Sequence, residues 1–285
     1  MAPVEILKAI LIGIVEGITE WLPVSSTGHM ILLNEWVKLQ VSESFWEFFL
    51  VAIQLGAILA VVVLFWQKIF PFRLGRKDRQ EGGQEGESES GFIKKDIVGL
   101  WVRIAIAAAP AAVAGLLLDD WLDEHLYGPT TVAVALIAYG IWFLFLERKQ
   151  DRVFSIEKAA DIPWKTALVI GLFQVLALIP GTSRSGATII GGMLAGASRP
   201  AAAEFTFYLA IPVMAGASLL KLLKVGFAFS GQELAILAAG SVTAFIVSMG
   251  SIGFLMRYVR NHDFKAFGVY RIALGLCVLA YFYFA

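Results

Sequence analysis

Two carboxylates, Glu16 and Glu20, lie four residues apart inside an otherwise apolar N-terminal stretch. On a helix that spacing projects both from one face. Like charges held so close repel unless a divalent cation or a shared proton lies between them. Oxygen-only ligands suit a hard ion such as Mg²⁺ or Ca²⁺. The plainer alternative leaves both acids solvated at a membrane interface. Directly after them comes Pro23-Val-Ser25-Ser26-Thr27-Gly28-His29, a run that breaks one helix and caps the next. Hydroxyls at such a start leave backbone N–H groups facing outward, where phosphate oxygens bind. Ser26 is also a candidate nucleophile, although capping alone accounts for each hydroxyl. His29 is one of three histidines and, beside the carboxylates, suits an acid, base or nucleophile better than a packing role.

A second polar cluster, Pro180-Gly-Thr-Ser183-Arg184-Ser185-Gly186-Ala-Thr188, lies far along the chain. The guanidinium of Arg184, set among glycines and hydroxyls, has donors suited to bidentate phosphate binding. Its structural alternative is to pair with a buried acid or helix carbonyls. Gln54, Gln174 and Glu204 are further polar groups in apolar runs and stand as candidate supporting residues. Arg103 and Arg271, near the ends of apolar stretches, read as anchors whose charged tips reach the interface. Trp21, Trp36, Trp46, Trp66 and Trp101 read as an interfacial aromatic belt.

The elements that must position these groups belong in a bilayer. Of 285 residues, 58% are hydrophobic and 16% charged, with a mean hydropathy of +0.75. Soluble domains run at about 45–50% apolar and about 25% charged. Net charge is zero and basic residues do not alternate with aromatics, so a nucleic-acid partner is not expected. The single Cys277 cannot form an internal disulfide, and the N-terminal stretch, which carries acids, does not read as a removable signal.

Six stretches are long enough to cross the hydrocarbon as helices: roughly 45 to 66, 100 to 118, 129 to 147, 201 to 222, 234 to 256 and 266 to 285. Residues 4 to 37 and 163 to 197 are instead interrupted by the two polar clusters. Their short arms predict re-entrant helix-loop-helix hairpins that enter and leave on one side. Lys and Arg concentrate in 67 to 99, 148 to 165 and 257 to 265, whereas 119 to 128 has none. By the positive-inside rule the basic loops are cytoplasmic and both termini face outward. The first hairpin then enters from outside and the second from the cytoplasm. A shift of 158 residues superposes Gly13 on Gly171, Glu16 on Gln174, Ser25 on Ser183 and Gly28 on Gly186. The expectation is an all-α polytopic membrane protein, one domain built from inverted repeats at about 1–147 and 163–285. A polar cytoplasmic linker is expected at 73–95. Such repeats bring their broken helices together near the midplane.

With these residues in view, the chain resembles the undecaprenyl-diphosphatases, also called bacitracin-resistance proteins. Glu16-Gly-Ile-Thr-Glu20-Trp-Leu-Pro-Val-Ser-Ser-Thr-Gly-His29 is similar to the family's first motif, and Pro180 to Thr188 to its second. The resemblance implies hydrolysis of undecaprenyl diphosphate to the monophosphate and inorganic phosphate, with a divalent cation, at the outer face of the cytoplasmic membrane. That reaction recycles the carrier lipid for peptidoglycan and removes the lipid to which bacitracin binds. It implies Glu16 and Glu20 as metal ligands or proton carriers, Arg184 as the diphosphate clamp, and Ser26 and His29 in attack and proton transfer. Ser25, Thr27, Gly28, Ser183, Ser185, Gly186, Thr188, Gln54 and Gln174 are the expected substrate-binding set. Whether Ser26, His29 or water attacks stays open, as does the assembly, a homodimer included. The rival reading is a transporter or flippase for a lipid phosphate, whose architecture also uses inverted repeats.

Overall fold

The computed structural model describes residues 2–72, 93–148, 154–226 and 229–284. The expected linker at 73–95 falls, apart from its last residues, outside them. Among the described residues eleven α-helices follow in order: α1 (Ala2–Thr19), α2 (Ser26–Trp36), α3 (Glu43–Leu64), α4 (Trp66–Ile69), α5 (Lys95–Leu126), α6 (Pro129–Leu146), α7 (Trp164–Leu176), α8 (Arg184–Leu194), α9 (Arg199–Val225), α10 (Gly231–Asn261) and α11 (Lys265–Phe284). Among the described residues the only β-pairing is two isolated bridges. Six helices have the length and composition to cross a membrane: Glu43–Leu64, Lys95–Leu118, Pro129–Leu146, Arg199–Val225, Gly231–Asn261 and Lys265–Phe284.

Local chemistry sets the ends of these helices. Ser42 and Ser198 accept the amides of Phe45 and Ala201, and Ser230 forms a reciprocal capping box with Glu233. Helices α6 and α9 start with proline inside the first turn. Pairing then depends on small residues, because lipid tails supply no hydrophobic drive between helices. Along α1 and α10, a Cβ added to Gly13 would lie 2.5 Å from the Gly240 carbonyl, and one on Gly17 would lie 2.8 Å from the Ala244 carbonyl. Helix α7 packs on α5, α3 lies between α9 and α10, and α6 pairs with α11.

The same packing joins helices across the basic end. Buried Glu147, just past α6, accepts from both Nε and Nη2 of Arg199, at 2.8 and 2.5 Å, and from the Phe264 amide at 3.2 Å. Glu147→Ala strands an arginine and a buried amide together. It is expected to cost about 2–4 kcal/mol, read as a lower melting temperature of the purified protein in detergent. Turnover by the protein that remains folded should be unchanged.

Two sequence expectations fail here. Arg271 does not reach an interface: it is wholly buried and donates from Nη1 to the Pro23 carbonyl (3.3 Å) and from Nη2 to those of Gly181 and Thr182 (2.9 Å each). Those carbonyls sit in the two helix breaks, so a guanidinium is stabilised inside the protein by oxygens that no helix satisfies. Trp21 is not part of a belt either. It is fully buried, edge-on to Phe207 at 5.4 Å between centroids. Trp36, by contrast, is well exposed.

Candidate active site

The breaks after α1 and α7 are built alike. Ser25 and Ser183 have φ of 74° and 70°, the only non-glycine residues with positive φ among those described. Each turns the chain so that its own hydroxyl accepts an amide of the next helix, Gly28 for Ser25 and Gly186 for Ser183, at 3.3 and 3.2 Å. A left-handed backbone at a β-carbon-bearing residue costs about 1–3 kcal/mol and persists only where its surroundings over-determine it. Here caps and Arg271 do so. Helices α2 and α8 therefore both begin inside the protein, with first-turn N–H groups that no helix bond uses.

The two breaks meet through side chains. The Arg184 guanidinium donates from Nε and Nη2 to Glu20 Oε1 at 3.3 and 3.1 Å, and from Nη1 to the Thr206 carbonyl at 3.1 Å. It also lies over the Trp21 ring, 5.8 Å from the centroid, which accounts for the burial of that indole. Ser26 Oγ donates to the other oxygen of Glu20 at 2.8 Å. Ser185 Oγ donates to the carbonyls of Glu20 and Leu22. Glu16 is buried one turn before Glu20, with Gln54 of α3 against its carboxylate and Arg184 and Glu20 close enough to interact with it. Its Oε1 has no hydrogen-bond partner. Thr188 is buried beneath Arg184, donating to the Arg184 carbonyl and accepting from Thr206.

Glu16, Glu20, Ser26, Arg184, Ser185 and Gln54 thus converge, with Ser25, Ser183, Gly186 and Thr188 shaping the backbone around them. Gly28 holds α2 tight against Leu136, whose methyl would lie 2.9 Å from an added Cβ. Thr27 is half-buried at the second position of α2. His29 stands apart from the carboxylates: Nδ1 meets the Ser25 carbonyl at 2.7 Å and Nε2 meets the Tyr270 hydroxyl at 2.6 Å. Gln174, which the repeat aligns with Glu16, is buried on α7 with neither amide atom bonded. No hydrogen bond ties it to the cluster. Glu204 is engaged elsewhere, with Lys68 at 2.8 Å and with the Tyr208 hydroxyl. Sequence reasoning missed Arg271 and Tyr270. Neither carried a sequence signal that separated it from a residue at a span end.

Acidic, hydroxyl and guanidinium groups gather around two buried helix starts, within six membrane-length helices, in what is a multi-pass membrane protein. The description bacitracin resistance protein BacA matches residues 9–277. A protein named undecaprenyl-diphosphatase from Enterococcus faecalis is 56% identical over 277 residues, spanning 97% of this chain and 96% of that protein. One of the same name from Acetivibrio thermocellus is 55% identical over 279 residues, 98% of each. Undecaprenyl-diphosphatase 1 of Clostridium acetobutylicum is 53% identical over 287 residues, 99% of each. The chain belongs to the bacitracin resistance protein BacA family.

Proposed function

We propose that this protein hydrolyses undecaprenyl diphosphate to undecaprenyl phosphate and inorganic phosphate, returning the carrier lipid to wall synthesis. The names of its relatives supply the substrate, and one observation carries the chemistry: the hydrogen-bonded series Ser26, Glu20, Arg184, formed by both helix breaks. A hydroxyl that donates to a fixed carboxylate is an activated nucleophile. Ser26 Oγ attacks the terminal phosphorus while the bridging P–O bond to undecaprenyl phosphate breaks, and the serine proton passes to Glu20. Water then cleaves the phosphoserine, a proton returns to Oγ, and inorganic phosphate leaves.

Arg184 serves two partners in this scheme. Paired with Glu20, it gives a carboxylate whose side chain is only 8% exposed a cationic partner. As the diphosphate arrives, its donors turn toward phosphate oxygens and leave Glu20 free to take the Ser26 proton. The first-turn amides of α2 and α8 face the same oxygens, so charge growing in transfer meets dipoles already in place.

The donor set fits a hard divalent cation of the Mg²⁺ or Ca²⁺ kind. The buried, unpartnered Oε1 of Glu16 is the free ligand, whereas Glu20 already has its charge balanced. Among the described residues no three His, Cys, Asp or Glu side chains gather as a metal cage. Glu16 and Glu20 would therefore hold the ion together with phosphate and water oxygens, the habit of Mg²⁺. Once bound, such an ion draws charge from the phosphoryl group.

The re-entrant hairpins and inverted repeat belong to the same reading. Packing of α1 on α10 has its counterpart in α7 on α5, and α11 on α2 in α6 on α8. The ion pair Lys68–Glu204 between the end of one span and the start of another is mirrored by Lys221–Glu47. The breaks lie at mid-span: Gly17 meets Ala244 and Val247, halfway along α10, and Gly28 meets Leu136, near the middle of α6. With basic loops cytoplasmic, the protein lies in the cytoplasmic membrane with its site opening outward.

The test is phosphate release from undecaprenyl diphosphate by purified protein in detergent micelles, where there is no second compartment to transport into. Arg184→Ala should be folded yet slower by about 10²–10³-fold. Wild-type release by that variant, or none by the unaltered protein, would overturn the reading. In the latter case a flippase for the lipid phosphate takes its place.

A further inference from the structure

The hydrogen bonds of His29 fix more than its position. Its Nδ1 faces the Ser25 carbonyl at 2.7 Å, and a carbonyl only accepts, so Nδ1 carries a proton. Its Nε2 lies 2.6 Å from the Tyr270 hydroxyl, and the two rings are nearly parallel, 10° apart. Tyr270 stands on α11 one residue before Arg271, which ties the same backbone break through the Pro23 carbonyl. Tyr270 is 46% exposed on α11, which packs against α2, and its hydroxyl meets His29.

We propose that Tyr270 is a positioning residue for the reaction, holding His29 as the neutral Nδ1–H tautomer by donating its hydroxyl proton to Nε2. The proposal rests on the reading of this site as one for phosphoryl transfer, with His29 three residues after Ser26 on α2 and so on the same helix face. In that state Nε2 offers a lone pair and no proton. His29 can take a proton from water in the second step, once the tyrosine hydroxyl moves aside, but it cannot donate from Nε2 to the departing lipid phosphate. The alternatives make opposite statements about the same atoms. A histidine working as an acid carries protons on both nitrogens, and its Nε2 would donate to the tyrosine oxygen instead of accepting from it. Ordering of a metal-bound or catalytic imidazole through its second nitrogen is a general device. Here the backbone holds one nitrogen and Tyr270 the other, the one that does the work.

Imidazole ¹⁵N spectra of the full-length protein in detergent, labelled at its three histidines, read this out, with His29→Asn assigning the His29 signals. The expected result at neutral pH is one pyrrole-type resonance for Nδ1 and one pyridine-type resonance for Nε2. In Tyr270→Phe the Nδ1 resonance should stay pyrrole-type, held by the Ser25 carbonyl, while the Nε2 resonance should shift as it loses its hydrogen bond. The variant's kcat should fall about tenfold, a part of the roughly 10²–10⁴-fold that a general acid–base group supplies, with KM nearly unchanged. Two pyrrole-type signals in the unaltered protein, an Nε2–H tautomer, or a Tyr270→Phe spectrum identical to the unaltered one would each overturn the proposal. The first two need no variant to fold. Full phosphate release by His29→Asn would also overturn the proposal, while leaving intact the functional reading, which stands on Ser26, Glu20 and Arg184.

Discussion

Ser26→Ala is expected to slow phosphate release by roughly 10⁴-fold or more, the scale on which an activated serine nucleophile is lost. The substitution removes a single oxygen whose hydrogen bond to Glu20 is 2.8 Å. Little else should change. Ser26 opens α2, but the cap of that helix is Ser25, and Glu20 keeps its pairing with Arg184. Elution as a sharp species and an unaltered melting temperature would confirm that the fold survives. The stronger form of the prediction follows the phosphoryl group: rapid quenching of the unaltered protein with substrate should trap a phosphorylated Ser26 peptide, absent from Ser26→Ala. A Ser26→Ala rate within tenfold of the unaltered one would mean that water attacks directly and that Ser26 only orients Glu20.

The parts of this site that sequence made legible are those that are expensive in an apolar setting. Glu16, Glu20 and Arg184 stand out because a charge within a membrane-length stretch persists only with a partner or a purpose. The polar breaks stand out because proline, glycine and hydroxyl residues cannot continue a lipid-facing helix. Hydropathy gave the six spans to within a few residues for the same reason. What stayed hidden were choices between equally apolar neighbours. Nothing local says that α1 lies on α10 or that α6 lies on α11, since the small residues allowing it, such as Gly13 and Gly240, recur along the other long helices as well. Arg271 and Trp21 were misread because near a span end an anchor and a buried residue have the same sequence signature, and only three-dimensional neighbours separate them. Arg184 shows the opposite case. Its two readings, phosphate clamp and partner of a buried acid, are compatible, because the guanidinium pairs with Glu20 while keeping donors that a phosphate can take over.

Arg271→Met should reveal what that misread arginine does. Its guanidinium binds carbonyls of both breaks, Pro23 on one side and Gly181 and Thr182 on the other. Methionine fills much of the space and leaves those oxygens without donors, each at a cost of about 1–3 kcal/mol unless the loops move to find others. Movement is the expected outcome, and it separates Glu20 and Ser26 from Arg184. A misplacement of about 1 Å is enough to lower kcat by about 10²-fold, so Arg271→Met should lose at least that, although Arg271 touches neither Ser26 nor Glu20 by any hydrogen bond. Arg271→Lys keeps the charge but replaces the planar fork with a single ammonium. It should therefore hold one break and release the other, with a rate between the two. Comparison with Glu147→Ala separates geometry from general loosening: that variant should melt earlier and keep its kcat, whereas Arg271→Met should lose kcat even at temperatures where it is fully folded. Equal rates for Arg271→Met and the unaltered protein would mean that the breaks hold their register through caps and the Glu20–Arg184 pair alone.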